Sequence, residues 1–184
     1  EFKGKVSSSD FELKGFFRNI IAFALRENEN ITVEATLNSS MIDLNELLAN
    51  KHEDIKDVKK DGAYILKFSE HINVNLNTEI RHLQFRKFDA TNIRGVIKLK
   101  DKKMVLDPIS LNTMGGTIST SGLIDGSDST QLLVTCFSDI NKIGITKMFE
   151  EFENFGQTTI TDKNIKGIAT AKIQFAAVLS PSLK

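Results

Sequence analysis

Between Ala90 and Asp125 the side chains alternate in character at nearly every step, and few folds are open to a chain with that rhythm. Ile93, Ile97 and Leu99 share one parity with Gly95 among them, whereas Arg94, Lys98 and Lys100 share the other. A period of two is the spacing of a strand with one buried and one wet face. Asp101-Lys102-Lys103 punctuates the run and Met104 to Leu106 resumes it. Asp107-Pro108 is expected to break the ladder, because proline has no N–H to donate. Ile109 and Leu111 carry on, Gly115-Gly116 offers a turn that tolerates positive φ, and Ile118, Thr120, Gly122 and Ile124 alternate again. The expectation is a meander of consecutive antiparallel strands. The implied class is mainly β, a β-rich α+β chain built on a curved antiparallel sheet with two or three short amphipathic helices.

The rest of the chain supports that class. Phe2–Val6 and Phe11–Gly15 read as short strands around the turn-rich Ser7-Ser8-Ser9-Asp10. Phe16–Arg26 fits either a short helix or a strand, and Ile31–Leu37 alternates cleanly. Asp43 has the place of a helix N-cap, with Glu46 closing a capping box and Leu44, Leu47 and Leu48 as the stripe of a helix ending near Asn50. Lys51–Asp61 is so charged that it reads as an exposed loop. Tyr64–Phe68 and His71–Ile80 return to the β pattern, the second with Ile72, Val74, Leu76 and Ile80 against asparagine and threonine. Gln131–Phe137 is apolar on both parities and is expected to be covered on both sides. Ile145, Met148, Phe149 and Phe152 recur at helical spacing up to Gly156. Ala169, Ala171, Ile173, Phe175, Ala177 and Leu179 share one parity in the last strand, over Gly167–Leu179. Ile31–Leu48 and Leu132–Phe149 echo each other as strand, polar break and helix.

At 184 residues the chain suffices for one domain with a buried core and no staples. Lys+Arg and Asp+Glu both number 24, with no basic stripe, which argues against nucleic acid as a partner. No stretch approaches the eighteen or so apolar residues of a membrane span. The opening on Glu1-Phe2 reads as a piece of something longer. His52, His71 and His82 lack ligand spacing. Cys136, inside the apolar LLVTCF, has no neighbouring base and reads as a small core residue. Gly115-Gly116 lacks the helix and lysine of a phosphate cradle, and Asp125-Gly126-Ser127-Asp128 lacks the carboxylates of a calcium loop. No catalytic, metal or cofactor site emerges.

What the residues do offer is more amphipathic β surface than two short helices can cover. An apolar face left partly open makes a groove for acyl chains. The competing reading is an ordinary core, or a scaffold whose sheet edges pair with a partner strand.

Two stretches carry a family resemblance. FRKFDATNIRGVIKLKDKKMVLDPISLNTMGGTISTSGLIDG, from Phe85 to Gly126, has the shape of a strand-rich unit leading to a Gly-Gly turn unit. Ile140–Gly167 contains FEEFENFGQ followed by DKNIKG, and Ile31–Leu48 runs from a strand into an IDLNELL helix. In these the chain resembles the C-terminal region of AsmA-like proteins, within the AsmA/TamB group of bacterial envelope proteins and in particular its Bacteroidetes-type versions. The resemblance implies a periplasmic β region held to the inner membrane by an N-terminal anchor that this sequence lacks. It also implies a part in outer-membrane biogenesis, with phospholipid carried on a hydrophobic groove and envelope proteins as possible partners. The expected groove residues are Ile72, Val74, Leu76, Ile93, Ile97, Leu99, Ile118, Ile124, Ile173 and Phe175.

Overall fold

The computed structural model describes residues 1–49 and 66–181. Ten strands form one open sheet: β1 (Phe2–Val6), β2 (Ser9–Arg18), β3 (Ile31–Ser39), β4 (Ile42–Asp43), β5 (Ile72–Phe85), β6 (Phe88–Lys100), β7 (Lys103–Thr113), β8 (Gly116–Asp125), β9 (Leu132–Gly144) and β10 (Ile168–Leu179). Three short helices interrupt them: α1 (Ile20–Leu25), α2 (Leu44–Ala49) and α3 (Ile145–Glu151). The strands lie side by side in chain order, with β4 a two-residue addition to β5. The mainly β class read from the alternation is therefore what the chain adopts.

The Ala90–Asp125 meander is antiparallel throughout, but ahead of it β3 and β5 run parallel, with Ile31 opposite Ile72 and Ser39 opposite Ile80. A parallel pair needs a crossover that returns the chain to its starting end, and the stretch containing α2 supplies it. The segment Phe16–Arg26 is both things in succession, strand to Arg18 and helix from Ile20, divided by a left-handed Asn19. Leu66–Phe68 is not a strand, although Leu66 N–H donates to the Pro181 carbonyl at 2.8 Å. Tyr64 and the charged loop Lys51–Asp61 lie outside the described residues.

Pro108 does not end its strand. β7 continues through Asp107-Pro108, and its register slips by one residue against both neighbours there, between Leu106 and Ile109 on the β8 side. A bulge takes up the extra residue, and a proline at a bulge removes no ladder hydrogen bond. The bulge brings the Pro108 carbonyl so close to Gly95 that an added Cβ would lie 2.1 Å from its oxygen. Gly95 sits at φ 149°, a conformation side chains rarely adopt. The Gly95 carbonyl in turn accepts from the buried Thr78 hydroxyl at 2.9 Å. A second slip, between Thr91 and Arg94, surrounds a left-handed Asn92. It lets Ala90 and Ile93, three residues apart, both enter the core.

The turns are tight. Asp101-Lys102 and Met114-Gly115 each place two consecutive residues at positive φ, the geometry of two-residue hairpins. The second turn therefore falls one residue earlier than Gly115-Gly116. Gly116 already belongs to β8, where a Cβ would lie 2.3 Å from the Asn141 carbonyl oxygen.

At one end of the sheet α2 and α3 fold over the strands. Asp43 caps α2 as its sequence implies, Oδ1 accepting from Asn45 N–H at 2.8 Å and Glu46 N–H at 3.3 Å. Glu46 does not close the box. Its carboxylate accepts instead from the backbone and hydroxyl of Ser8, at 2.9 and 2.5 Å, and so ties α2 to the β1–β2 turn. Leu44 and Leu47 pack on a core of Ile42, Ile80, Ala90, Ile93 and Ile109. Asn50, the expected end of α2, lies outside the described residues. α3 buries Phe149, and Phe152 meets the rings of Phe88 and Phe155 at 5.9 and 5.5 Å. The helix stops at Glu151, short of Gly156, because Glu153, Asn154 and Phe155 all turn left-handed. Both halves of the strand-then-helix echo exist, β3–β4–α2 and β9–α3. They differ in the strand each leads into, parallel for the first and antiparallel for the second.

Candidate functional site

Residues opposite one another in a ladder point to the same face. Following the registers across the sheet, Val74 faces Leu99, Leu99 faces Met104, Met104 faces Ile124, Ile124 faces Val134 and Val134 faces Ala177. One step along, Leu76, Ile97 and Leu106 form a row that ends on Gly122, Cys136 and Phe175. Ile118 faces Ile140, Ile173 faces Ser138, Ile93 faces Ile80, and Ile72 lies on the parity of Val74. All ten expected groove residues, on strands that are far apart in sequence, thus share one face. That face continues across the parallel junction through Ile31, Val33, Ala35 and Leu37.

Coverage of the face is uneven. Near α2 it is closed, and Ile93, the one of the ten that joins the core, is buried. Towards the opposite end and towards β10 it opens. Ile72, Val74, Leu76, Ile97, Leu99, Ile118 and Ile124 are half-buried, while Ile173 and Phe175 are 40% and 46% exposed. From β6 to β10 the residues of this face carry no charge. Its polar members satisfy one another: the Ser138 hydroxyl donates to Thr120 Oγ1 at 2.9 Å, and Thr120 Oγ1 donates to the Phe137 carbonyl at 3.1 Å. Cys136 is not a core residue as its setting implied. It is half-buried on this face, its Sγ 3.1 Å from both hydroxyls. Such a surface offers dispersion and the hydrophobic effect and no ionic anchor, chemistry that suits an apolar ligand.

The other side of the sheet is polar along its middle, with Lys98 paired to Asp107 at 2.8 Å and Lys103 to Asp125 at 2.8 Å. Lys103 beside it, with the Ser127 bonds, holds the Asp125 carboxyl down at about 2. At β9 and β10 the pattern fails. Gln131–Phe137 is not covered on both sides, for Leu133 and Phe137 are 46% and 59% exposed on the outer side, next to an exposed Val178. β9 pairs with β10, the last strand in the order of the described sheet.

The titratable groups gather at the helix-covered end. His82 Nε2 lies 2.5 Å from Asp89 Oδ2, and this bond above all lowers the Asp89 carboxyl from its ordinary value. Glu151, on α3, accepts from Asp89 N–H at 3.3 Å and from the Thr113 hydroxyl at 3.5 Å. Burial is the main cause that raises its carboxyl above the usual range, outweighing those two bonds. A raised acid binds its proton more tightly in the folded chain than in the unfolded one. The associated stability is therefore present at low pH and is lost as pH rises through the folded value. Glu151→Gln is expected to raise the denaturation midpoint slightly at pH 7, with the gain vanishing at pH 3, as read by denaturant titration at the two pH values.

His71 Nδ1 contacts Asn30 Oδ1 at 3.1 Å, away from His82, and His52 lies outside the described residues. Among the described residues no three His, Cys, Asp or Glu side chains are grouped to hold a metal ion. Nor is any helix among them long and apolar enough to cross a membrane.

No family model, curated protein or solved structure matches the chain. The site stands on its geometry. Sequence parity found the members of the apolar face strand by strand. What it missed was α1, whose Ile20, Ile21 and Leu25 are all at least half exposed. The signal lay in IIAFAL between Arg18 and Arg26, apolar all round and too short for a stripe.

Proposed function

We propose that this chain is a non-enzymatic lipid-handling module of the bacterial envelope, which shelters phospholipid acyl chains on the open part of its apolar face. The observation that carries the reading is the convergence of all ten expected side chains on one uncharged surface that the helices cover at one end only. An acyl chain laid across β5 to β10 gains about 25 cal/mol for each Å² of apolar area it hides from water. The headgroup has no partner on the face and stays at its rim. The resemblance to AsmA-like proteins supplies the setting: the periplasmic side of the inner membrane, an N-terminal anchor, and movement of lipid towards the outer membrane. In the alternative reading, the chain is a periplasmic scaffold for outer-membrane assembly that pairs a partner strand to β1 or β10.

The test is direct. Native mass spectrometry and solvent extraction of the purified chain are expected to yield co-purifying phospholipid. Phe175→Glu and Leu76→Glu, which place a charge on the face, are expected to abolish it with the β-rich circular dichroism retained. Lipid-free wild-type protein that also takes up no acyl chain from detergent-solubilised phospholipid would overturn the reading.

A further inference from the structure

Among the described residues β10 is an edge strand, and it has few of the usual protections. Natural edges are kept from pairing by shortness, by charges, by proline or by bulges. The opposite edge, β1, is five residues long with two lysines in FKGKV. β10 is twelve residues long, IATAKIQFAAVL, with no proline or glycine and a single charge. That charge, Lys172, is already paired with Asp139 at 2.6 Å. The irregularity in the β9–β10 ladder lies on β9, where a left-handed Lys142 takes up the extra residue, so β10 itself runs straight from Ala171 to Leu179. Exposed apolar side chains lie beside the edge on both faces, Ile173 and Phe175 on one, and Phe137, Leu133 and Val178 on the other, where Thr170, Lys172 and Gln174 of β10 also lie.

We propose that β10 pairs with β10 of a second copy, antiparallel about a two-fold axis through Ile173, joining two sheets into one. The sequence of the strand favours itself as partner in this register. Ile173 meets its own counterpart, Ala171 meets Phe175, Ala169 meets Ala177, and Ile168 meets Val178. Lys172 falls opposite Gln174, so the two most polar side chains of the strand face each other. Moving the axis to Lys172 opposes two ammonium groups, which destabilises a cross-strand pair. Moving it to Gln174 sets Lys172 against Ala176. Closed two-fold pairing uses this edge once in each copy and so does not propagate into open-ended stacking. The pairing makes one apolar face from two and requires no bound lipid, so it stands or falls apart from the lipid reading.

The experiment is sedimentation velocity on the whole chain over a concentration series, joined to cysteine cross-linking in a Cys136→Ser background. A reversible dimer is expected, with Ile173→Lys weakening it by about tenfold or more while circular dichroism is unchanged. Under mild oxidation Ile173→Cys should form a disulfide-linked dimer, because directly opposed residues lie about 4.5–5.5 Å apart at Cα, within disulfide range. Lys172→Cys and Gln174→Cys should not, their symmetry mates lying diagonally at about 7–8 Å. A chain that stays monomeric throughout the series overturns the proposal, as does cross-linking at 172 or 174 in preference to 173.

Discussion

Gly95→Ala is expected to cost roughly 3 kcal/mol or more of folding stability, a large loss for a single added methyl group. Two independent causes coincide at the site. The backbone there lies at φ 149°, and the new Cβ would stand 2.1 Å from the Pro108 carbonyl oxygen and 2.9 Å from the Ile109 Cα. Neither obstacle is the mobile end of a side chain, and both are backbone held in the ladder by the β7 bulge. Relief would require the bulge to retreat or β6 to swing away, and the latter breaks the Thr78 bond to the Gly95 carbonyl. Gly115→Ala is the natural control. It too lies at positive φ, 79°, but nothing stands within 4 Å of its added Cβ. It should cost only about 1 kcal/mol, the conformational penalty alone. Denaturant melts of both variants check the difference. Equal costs would mean that Pro108 does not bulge against Gly95.

The second large effect separates core from groove on the same surface. Ile93 and Phe175 share a face, yet Ile93 is 6% exposed beneath α2 and Phe175 is 46% exposed beside the edge. Ile93→Ala should cost about 2–5 kcal/mol, because the packed cluster around it cannot collapse into the void. Phe175→Ala should cost about 1 kcal/mol or less, since a half-exposed ring loses little burial on unfolding. Acyl-chain uptake should follow the opposite order. It should fall severalfold in Phe175→Ala and change little in Ile93→Ala at temperatures where that variant remains folded. Paired melts and fatty-acid binding titrations of the two variants decide it. If uptake falls in proportion to lost stability in both, the face is a core and nothing more.

The alternation in β5, β6, β8 and β10 was legible because each of these strands has one greasy and one polar parity, which is information held in the strand itself. Ile118 and Phe175 could be assigned to a shared face for the same reason. The departures arise where the cause lies elsewhere in the chain. Pro108 reads as a break unless the glycine that makes room for its carbonyl, thirteen positions earlier, is known to lie opposite. Glu46 stands at the capping-box position, yet Ser8 takes its carboxylate from a turn thirty-eight residues away. The parallel pairing of β3 with β5 depends on the route of the crossover, which no local pattern encodes. The apolar doubling of Gln131–Phe137 is correct as composition and misleading as burial, because what packs on a strand's outer face is decided by other parts of the chain and not by the strand.

The parallel junction also bears on how the molecule assembles. Strands β5 to β10 follow one another by hairpins, apart from the longer α3 connection, and can zip together from short-range encounters. Seating β3 on β5 means closing a loop from Ser39 to Ile72, for which chain statistics set an entropic cost of about 3 kcal/mol before any contact offsets it. The six-strand portion is expected to form first and the ribbon of β1, β2 and β3 to dock afterwards, which would show as earlier hydrogen-exchange protection in β5 to β10 during refolding.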